Sequence, residues 1–220
     1  MKSNKSTVSN PSLKSTIATT LLAVATFTSV TAQEIVRYEA QPNASTCTIE
    51  GTSTLHDWQM TSAIISGYIE SDAGFPYSAL TNSAAASPKV VANLPVRAFK
   101  SGKQAMDDKM QEGVQASKFT RVEYRLLSLK PKSKPDATGP LQFDAVGTLT
   151  IIGNTVTNTM PVTIEPKDGK LKIIGNAPVK MSDYKMKPPV ISILGVDTIS
   201  VGDDLKIKFE WILAPKKKTS

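Results

Sequence analysis

From Leu141 to Leu213 this chain alternates. Phe143, Ala145, Gly147 and Leu149 are interleaved with Gln142, Asp144, Val146 and Thr148. Val156, Met160, Val162 and Ile164 then alternate with Thr155, Thr157, Thr159 and Thr163. Leu171, Ile173, Ala177 and Val179 follow, and Leu205, Ile207, Phe209 and Trp211 are separated by Lys206, Lys208 and Glu210. A period of two over this length predicts antiparallel strands with one wet and one buried face. A succession of such strands closes on itself, and a closed barrel has an interior. Either side chains or a ligand must fill it.

Earlier in the chain the pattern is less regular. Strands are expected from Ile35, from Ser45 and from His56 to Glu70, the last with muddled parity at Ser62-Ala63, as a bulge or bend produces. Residues 71–88 are small and polar with two prolines and read as a loop. Lys89 to Lys100 is a further strand, with Pro95 marking an edge or an interruption. Ser101 and Gln104 form a capping-box pattern, and Met106, Met110 and Val114 share one face of a short helix that Gly113 can stop. Arg121 to Lys130 is again a strand, and 131–140 a loop. Gly153-Asn154 and Asp168-Gly169 are hairpin-turn pairs. The expected fold is all-β, about eight antiparallel strands in a barrel with one inserted helix; a two-sheet sandwich is the rival.

Residues 1–32 read as an export signal: Lys2, Lys5 and Lys14 precede the apolar stretch 17–30, and Val30-Thr31-Ala32 supplies small residues for cleavage. The stretch is too short and threonine-rich for a comfortable membrane span, so no stable span is expected. The net charge of +7 includes the three leader lysines, and Lys216 to Lys218 belong to a basic tail at 214–220. No aromatic–arginine surface for stacking bases accompanies that charge, so no nucleic-acid partner is expected. The barrel domain is placed at 33–213. Its lone cysteine, Cys47, excludes an internal disulfide and reads as a small buried residue.

Conventional catalytic clusters are missing from the pattern. His56 and Asp57, with Ser53 nearby, are the one place to look for a hydrolase. Neighbours on a strand point to opposite faces, so His56 and Asp57 are poorly placed to pair, and no catalytic residue is assigned. One histidine and one cysteine do not make a zinc site, and Asp107-Asp108 and Asp203-Asp204 lack calcium-loop spacing. With no glycine-rich phosphate loop either, neither metal nor cofactor is expected. Small residues at inward parity (Ala145, Gly147, Gly175 and Ala177, with Ala92 and Ala98 if Val90 and Leu94 face in) leave room for a ligand, or only relieve crowding between tilted strands.

An ordered set of motifs runs through the chain: Gly51 to Trp58 (GTSTLHDW), Met106 to Met110 (MDDKM), Ala116 to Phe119 (ASKF), Val122 to Tyr124, Val146 to Ile151 (VGTLTI), Lys180 to Tyr184 (KMSDY), Lys187-Pro188-Pro189 and Gly202-Asp203. The set resembles the YceI-like family of exported bacterial proteins across roughly residues 34–213. The resemblance implies a lipocalin-like eight-stranded barrel whose apolar cavity holds a polyisoprenoid chain, as a binding protein with no reaction attached. Better-known members carry an Arg-Asp pair and a histidine around the inserted helix, where this chain has Met106-Asp107-Asp108-Lys109. On this reading the protein is exported, periplasmic or secreted, a monomer or homodimer, and its partner is an apolar lipid or isoprenoid. Candidate cavity residues are Trp58, Phe99, Met106, Met110, Phe119, Tyr124, Phe143, Leu149, Phe209 and Trp211. Of these, Met106, Met110 and Phe119 could form a compliant lid or wall. The alternative is a barrel with a packed core serving as a periplasmic stress-response or protein-interaction module without a lipid.

Overall fold

A computed structural model describes Met1 and residues 34–81, 87–193 and 196–216. The expected leader and residues 217–220 of the tail lie outside the described residues. The alternating segments become β1 (Ile35–Ala40), β2 (Thr46–Ser53), β3 (Trp58–Ser62), β4 (Ser66–Asp72), β5 (Lys89–Pro95), β6 (Arg121–Pro131), β7 (Leu141–Ile151), β8 (Asn154–Lys167), β9 (Lys170–Lys180), β10 (Val190–Ile193) and β11 (Val196–Pro215).

Register reduces these to eight long strands. β1 and β2 both pair antiparallel with β11, Ala40 opposite Leu213 and Thr46 opposite Glu210, so they are two parts of one strand interrupted at 41–45. Ser45 bridges the interruption, its hydroxyl accepting the Ile212 N–H at 3.2 Å. β3 and β4 divide in the same way, β3 pairing with β2 (Cys47 opposite Ser62) and β4 with β1 (Tyr38 opposite Ile69). β4 to β9 then pair in chain order, each antiparallel to the next, and β11 closes the ring against β1 and β2. Closure gives the edge strands partners, which an open sandwich would not.

The irregular parity near Ser62 is a true break. Met60 and Ser62 are buried before it and Ile65 and Ile69 after it, an odd step that reverses which residues face in. The Ser62 hydroxyl holds the break by accepting the Ile64 N–H at 3.0 Å. A second reversal occurs at Leu127, skipped in the pairing of β6 with β7 and left exposed. Pro95 ends β5, and a 3₁₀ turn (Val96–Ala98) follows. The last strand runs on to Pro215, paired with Tyr38, and the Lys216 N–H reaches the Arg37 carbonyl, so the first tail residues join the sheet.

Three local expectations need correcting. The loop at 71–88 contains a one-turn helix, α1 (Ser78–Thr81), started by Asp72, whose carboxylate accepts the Gly74 N–H and the Ser78 hydroxyl, each at 2.8 Å. The inserted helix, α2 (Gln104–Gly113), is capped differently from the pattern. Ser101 donates its N–H and hydroxyl to buried Asp107, while Gln104 turns to Asp108. A carboxylate two turns' reach away outcompetes the nearer glutamine because it accepts both Ser101 donors with charge assistance; those bonds hold the Asp107 carboxyl below its usual range. The first hairpin turn is Ile152-Gly153, one residue earlier than expected, both residues at positive φ. Asp168-Gly169 stands as expected, also with both φ values positive, as a primed turn requires.

The two ends of the barrel differ. At one end Leu141, Phe143, Leu171 and Leu213 are wholly or almost wholly buried, and Phe75, Ala79 and Leu80, from the segment carrying α1, join the same apolar cluster. The other end carries the β2–β3 turn, α2, the β7–β8 turn and the connection from β9 towards β11. There Tyr184, from that last connection, is buried with Leu149, Ile151 and Val179 in a smaller apolar cluster of its own.

Candidate ligand cavity

Inside the barrel lies a cavity of about 620 Å³, within the range of small-molecule sites. Every long strand contributes to its wall: Cys47 and Ile49 from β2, Met60 and Ile69 from β3 and β4, Val90, Ala92 and Leu94 from β5, Leu126 and Leu129 from β6, Ala145 and Leu149 from β7, Met160 and Val162 from β8, Ile173 and Ala177 from β9, and Leu205, Ile207, Phe209 and Trp211 from β11. Met106 and Met110 of α2 line it at the end that carries that helix. No carboxylate is among the lining residues; the charged ones are Lys103, Lys109 and Lys187. The wall is apolar over most of its surface, the chemistry that suits an apolar occupant.

The space exists because three large rings lie flat on the wall. Trp58 covers Gly51, Tyr124 covers Gly147 and Phe209 covers Gly175. A Cβ on these glycines would lie 2.2, 2.3 and 2.5 Å from the nearest atom of the covering side chain, closer than any real contact. Trp58 and Phe209 sit directly opposite their glycines in the register, and Tyr124 is one inward position from its own. This is aromatic rescue of strand glycines, and it keeps the rings out of the lumen. Two of these glycines were expected to open space directly; instead each is a slot for a ring, and the alanines Ala92, Ala145 and Ala177 line the cavity itself.

Of the candidate residues, Trp58, Phe99, Met106, Met110, Tyr124, Leu149, Phe209 and Trp211 stand on the cavity wall. Phe143 has the inward parity but forms part of the plug at the closed end. Phe119 packs against the β7–β8 turn at Gly153, under the Lys118 ammonium, and does not line the cavity. Ala98 falls in the 3₁₀ turn and is likewise off the wall. Wall residues that sequence reasoning did not reach include Ile65 and Ile69, beyond the first parity reversal, and Ile191, Ile199 and Val201, placed there by the β10–β11 pairing. Parity does not carry across the break to Ile65 and Ile69, and no alternating segment is expected over 185–204 to place the other three.

Polar groups near the lumen are few and mostly engaged. The Trp211 indole donates to the Ile65 carbonyl at 3.2 Å, and Asn158 donates to the Tyr184 hydroxyl at 2.9 Å. The Tyr124 hydroxyl, pressed against Gly147, has no partner among the described residues, and burial raises its pKa. It stays a neutral phenol. Ser53 spends its hydroxyl on the backbone of His56, donating to the carbonyl at 2.7 Å, and the His56 ring turns to the Asp57 carbonyl. Serine and imidazole therefore do not form a nucleophile–base pair.

Cys47 is fully buried on the wall, and burial pushes its thiol up to about 12. Its thiolate is therefore negligible at neutral pH. Iodoacetamide at neutral pH should leave the native protein unlabelled and modify it stoichiometrically in urea, read by intact mass. Rapid labelling of the folded protein would show that the wall opens at this strand.

The family model of the YceI-like domain matches residues 38–213. Among solved structures, BcnA of Burkholderia cenocepacia is similar with a TM-score of 0.61 at 16% identity, over 79% of this chain and 98% of that one. A polyisoprenoid binding domain from Saccharophagus degradans gives a TM-score of 0.58 at 11% identity, over 81% and 98%. At these identities the likeness speaks for the fold. Among curated proteins none matches the chain.

Proposed function

The chain belongs to the YceI-like family, and from that premise we propose that it is an exported, non-enzymatic carrier of a long apolar lipid of the isoprenoid type. The observation that carries this reading is the apolar cavity inside a closed barrel, cleared by rings held flat on glycines. Each CH₂ moved from water into such a wall gains ~0.8 kcal/mol, so a long tail needs few polar contacts to be retained. The Saccharophagus degradans domain of the same fold, described as polyisoprenoid binding, supports an isoprenoid over other apolar cargo. A packed-core interaction module has less support, since a packed core would not leave this volume. Export to the periplasm or the medium follows from the leader-like residues 1–32.

The test is what the protein holds. Native mass spectrometry and solvent extraction of the purified protein should recover an apolar molecule in about equimolar amount. A preparation stripped of lipid should rebind a fluorescent prenyl chain. Protein that carries nothing and binds neither prenyl nor acyl probes would sink the carrier reading.

A further inference from the structure

We infer that the end of the barrel carrying α2 and the β10–β11 pair is a docking face for an anionic lipid bilayer, from which the cavity loads. The inference rests on the carrier reading for what is loaded, but the docking itself stands on the surface. Leu55, Val190 and Ile191 are large apolar residues left 65%, 51% and 36% exposed. The fold gathers them. Thr54 donates its N–H to the Ser200 carbonyl at 2.9 Å, and Ser200 returns its own N–H to the Thr54 hydroxyl at 3.1 Å. Val190 is paired with that same Ser200, and Ile191 with Ile199. The β2–β3 turn and the β10–β11 pair thus present one apolar rim.

That rim is continuous with the lumen, because Leu55 and Ile191 also line the cavity. Every charged residue among the described residues that line the cavity is a lysine. Lys109 is paired with Glu112 at 2.8 Å, but among the described residues no acidic partner engages Lys103 or Lys187. Asp57, Asp108, Glu112, Asp183, Asp203 and Asp204, on the neighbouring elements, are not among the residues that line the cavity. Protruding apolar side chains flanked by lysines are the chemistry of interfacial binding to anionic headgroups. A soluble protein partner would be matched by the apolar rim alone; the lysines around an opening that leads into an apolar cavity favour the bilayer. Contact there would let a lipid tail pass from acyl chains to the wall without crossing water.

Flotation of the full chain with vesicles of phosphatidylglycerol and phosphatidylcholine tests this. Wild type should partition into the mixed vesicles and only weakly into pure phosphatidylcholine. Lys103→Glu and Lys187→Glu should each lower partitioning by about fivefold or more, and Leu55→Ser with Val190→Ser should lower it on both vesicle types. All variants share the leader, so differences read the rim, and circular dichroism confirms that each is folded. Equal partitioning of wild type into the two vesicle types, or of the rim variants and wild type, would overturn the inference. So would concentration-dependent dimerisation that Val190→Ser abolishes, with no vesicle binding. Prenyl-probe binding by the wild-type chain in vesicle-free buffer is measured beside it. Its loss with flotation intact removes the carrier reading and keeps the docking face; the converse removes the docking face alone.

Discussion

Gly147→Val is expected to cost the fold about 1–3 kcal/mol and to take with it most of the protein's capacity for a long-chain lipid. The wall has no room at this position. A Cβ would lie 2.3 Å from Tyr124 Oη and 2.4 Å from Cζ, so the ring must leave its slot. The sheet blocks every direction except the lumen, and a phenol ring displaced inward occupies ligand volume. Urea denaturation gives the stability change, and titration of the lipid-stripped protein with a prenyl probe gives the binding change. Coupling isolates the cause: in a Tyr124→Ala background the same valine should cost clearly less, because the clash is gone. Gly113→Ala, where nothing lies within 4 Å, serves as the steric control and should leave stability unchanged or raise it. If Gly147→Val retains full probe affinity, the ring-on-glycine account of the cavity is wrong.

Trp211→Ala should destabilise the barrel by about 3–5 kcal/mol, the range for deleting a large buried ring. Trp211 is 3% exposed on β11, and its indole N–H is bonded to the Ile65 carbonyl. That carbonyl lies where the strand between β3 and β4 is interrupted and the ladder cannot satisfy it, so the indole replaces a missing backbone partner. Trp211→Phe separates the two contributions. It retains most of the burial but strands the carbonyl, and should cost about 1–3 kcal/mol. Equilibrium unfolding of the two variants measures both. A loss below about 1 kcal/mol for the alanine variant would mean that the site collapses around the gap, against the cavity-cost expectation.

Legibility in the sequence followed the continuity of the strands. β7, β9 and β11 from Leu205 onward alternate without interruption on their inward faces, so Leu149, Phe209 and Trp211 could be placed on the wall from parity alone. In the first half the breaks at 41–45 and 63–65 and the skipped Leu127 each reverse the parity, and period-two reasoning fails at every reversal. Phe143 shows a second limit, since parity says that a residue faces in and not at what height, and its height is that of the plug. Gly147 and Gly175 show a third. A small residue on the inward face signals space, but whether a neighbouring ring or a ligand takes it depends on cross-strand register, which pattern does not specify. The one-turn helix α1 was hidden because its stability comes from Asp72 and from burial of Ala79 and Leu80, not from helical propensity.

Ring closure between the first strand and the last also governs when this protein can fold. Gly51 lies opposite Leu205, and Tyr38 opposite Pro215. The Ile212 N–H to Ser45 bond spans 167 positions of sequence. A meander of neighbouring hairpins forms locally, but the contacts that seal it are among the most distant the chain makes, and such contacts slow folding. During synthesis the lumen-facing side chains have no closed wall until the final strand is made. For a chain threaded unfolded across a membrane, as the proposed export requires, that delay is an advantage: the polypeptide stays open until its last twenty or so residues arrive, and only then can it acquire an inside.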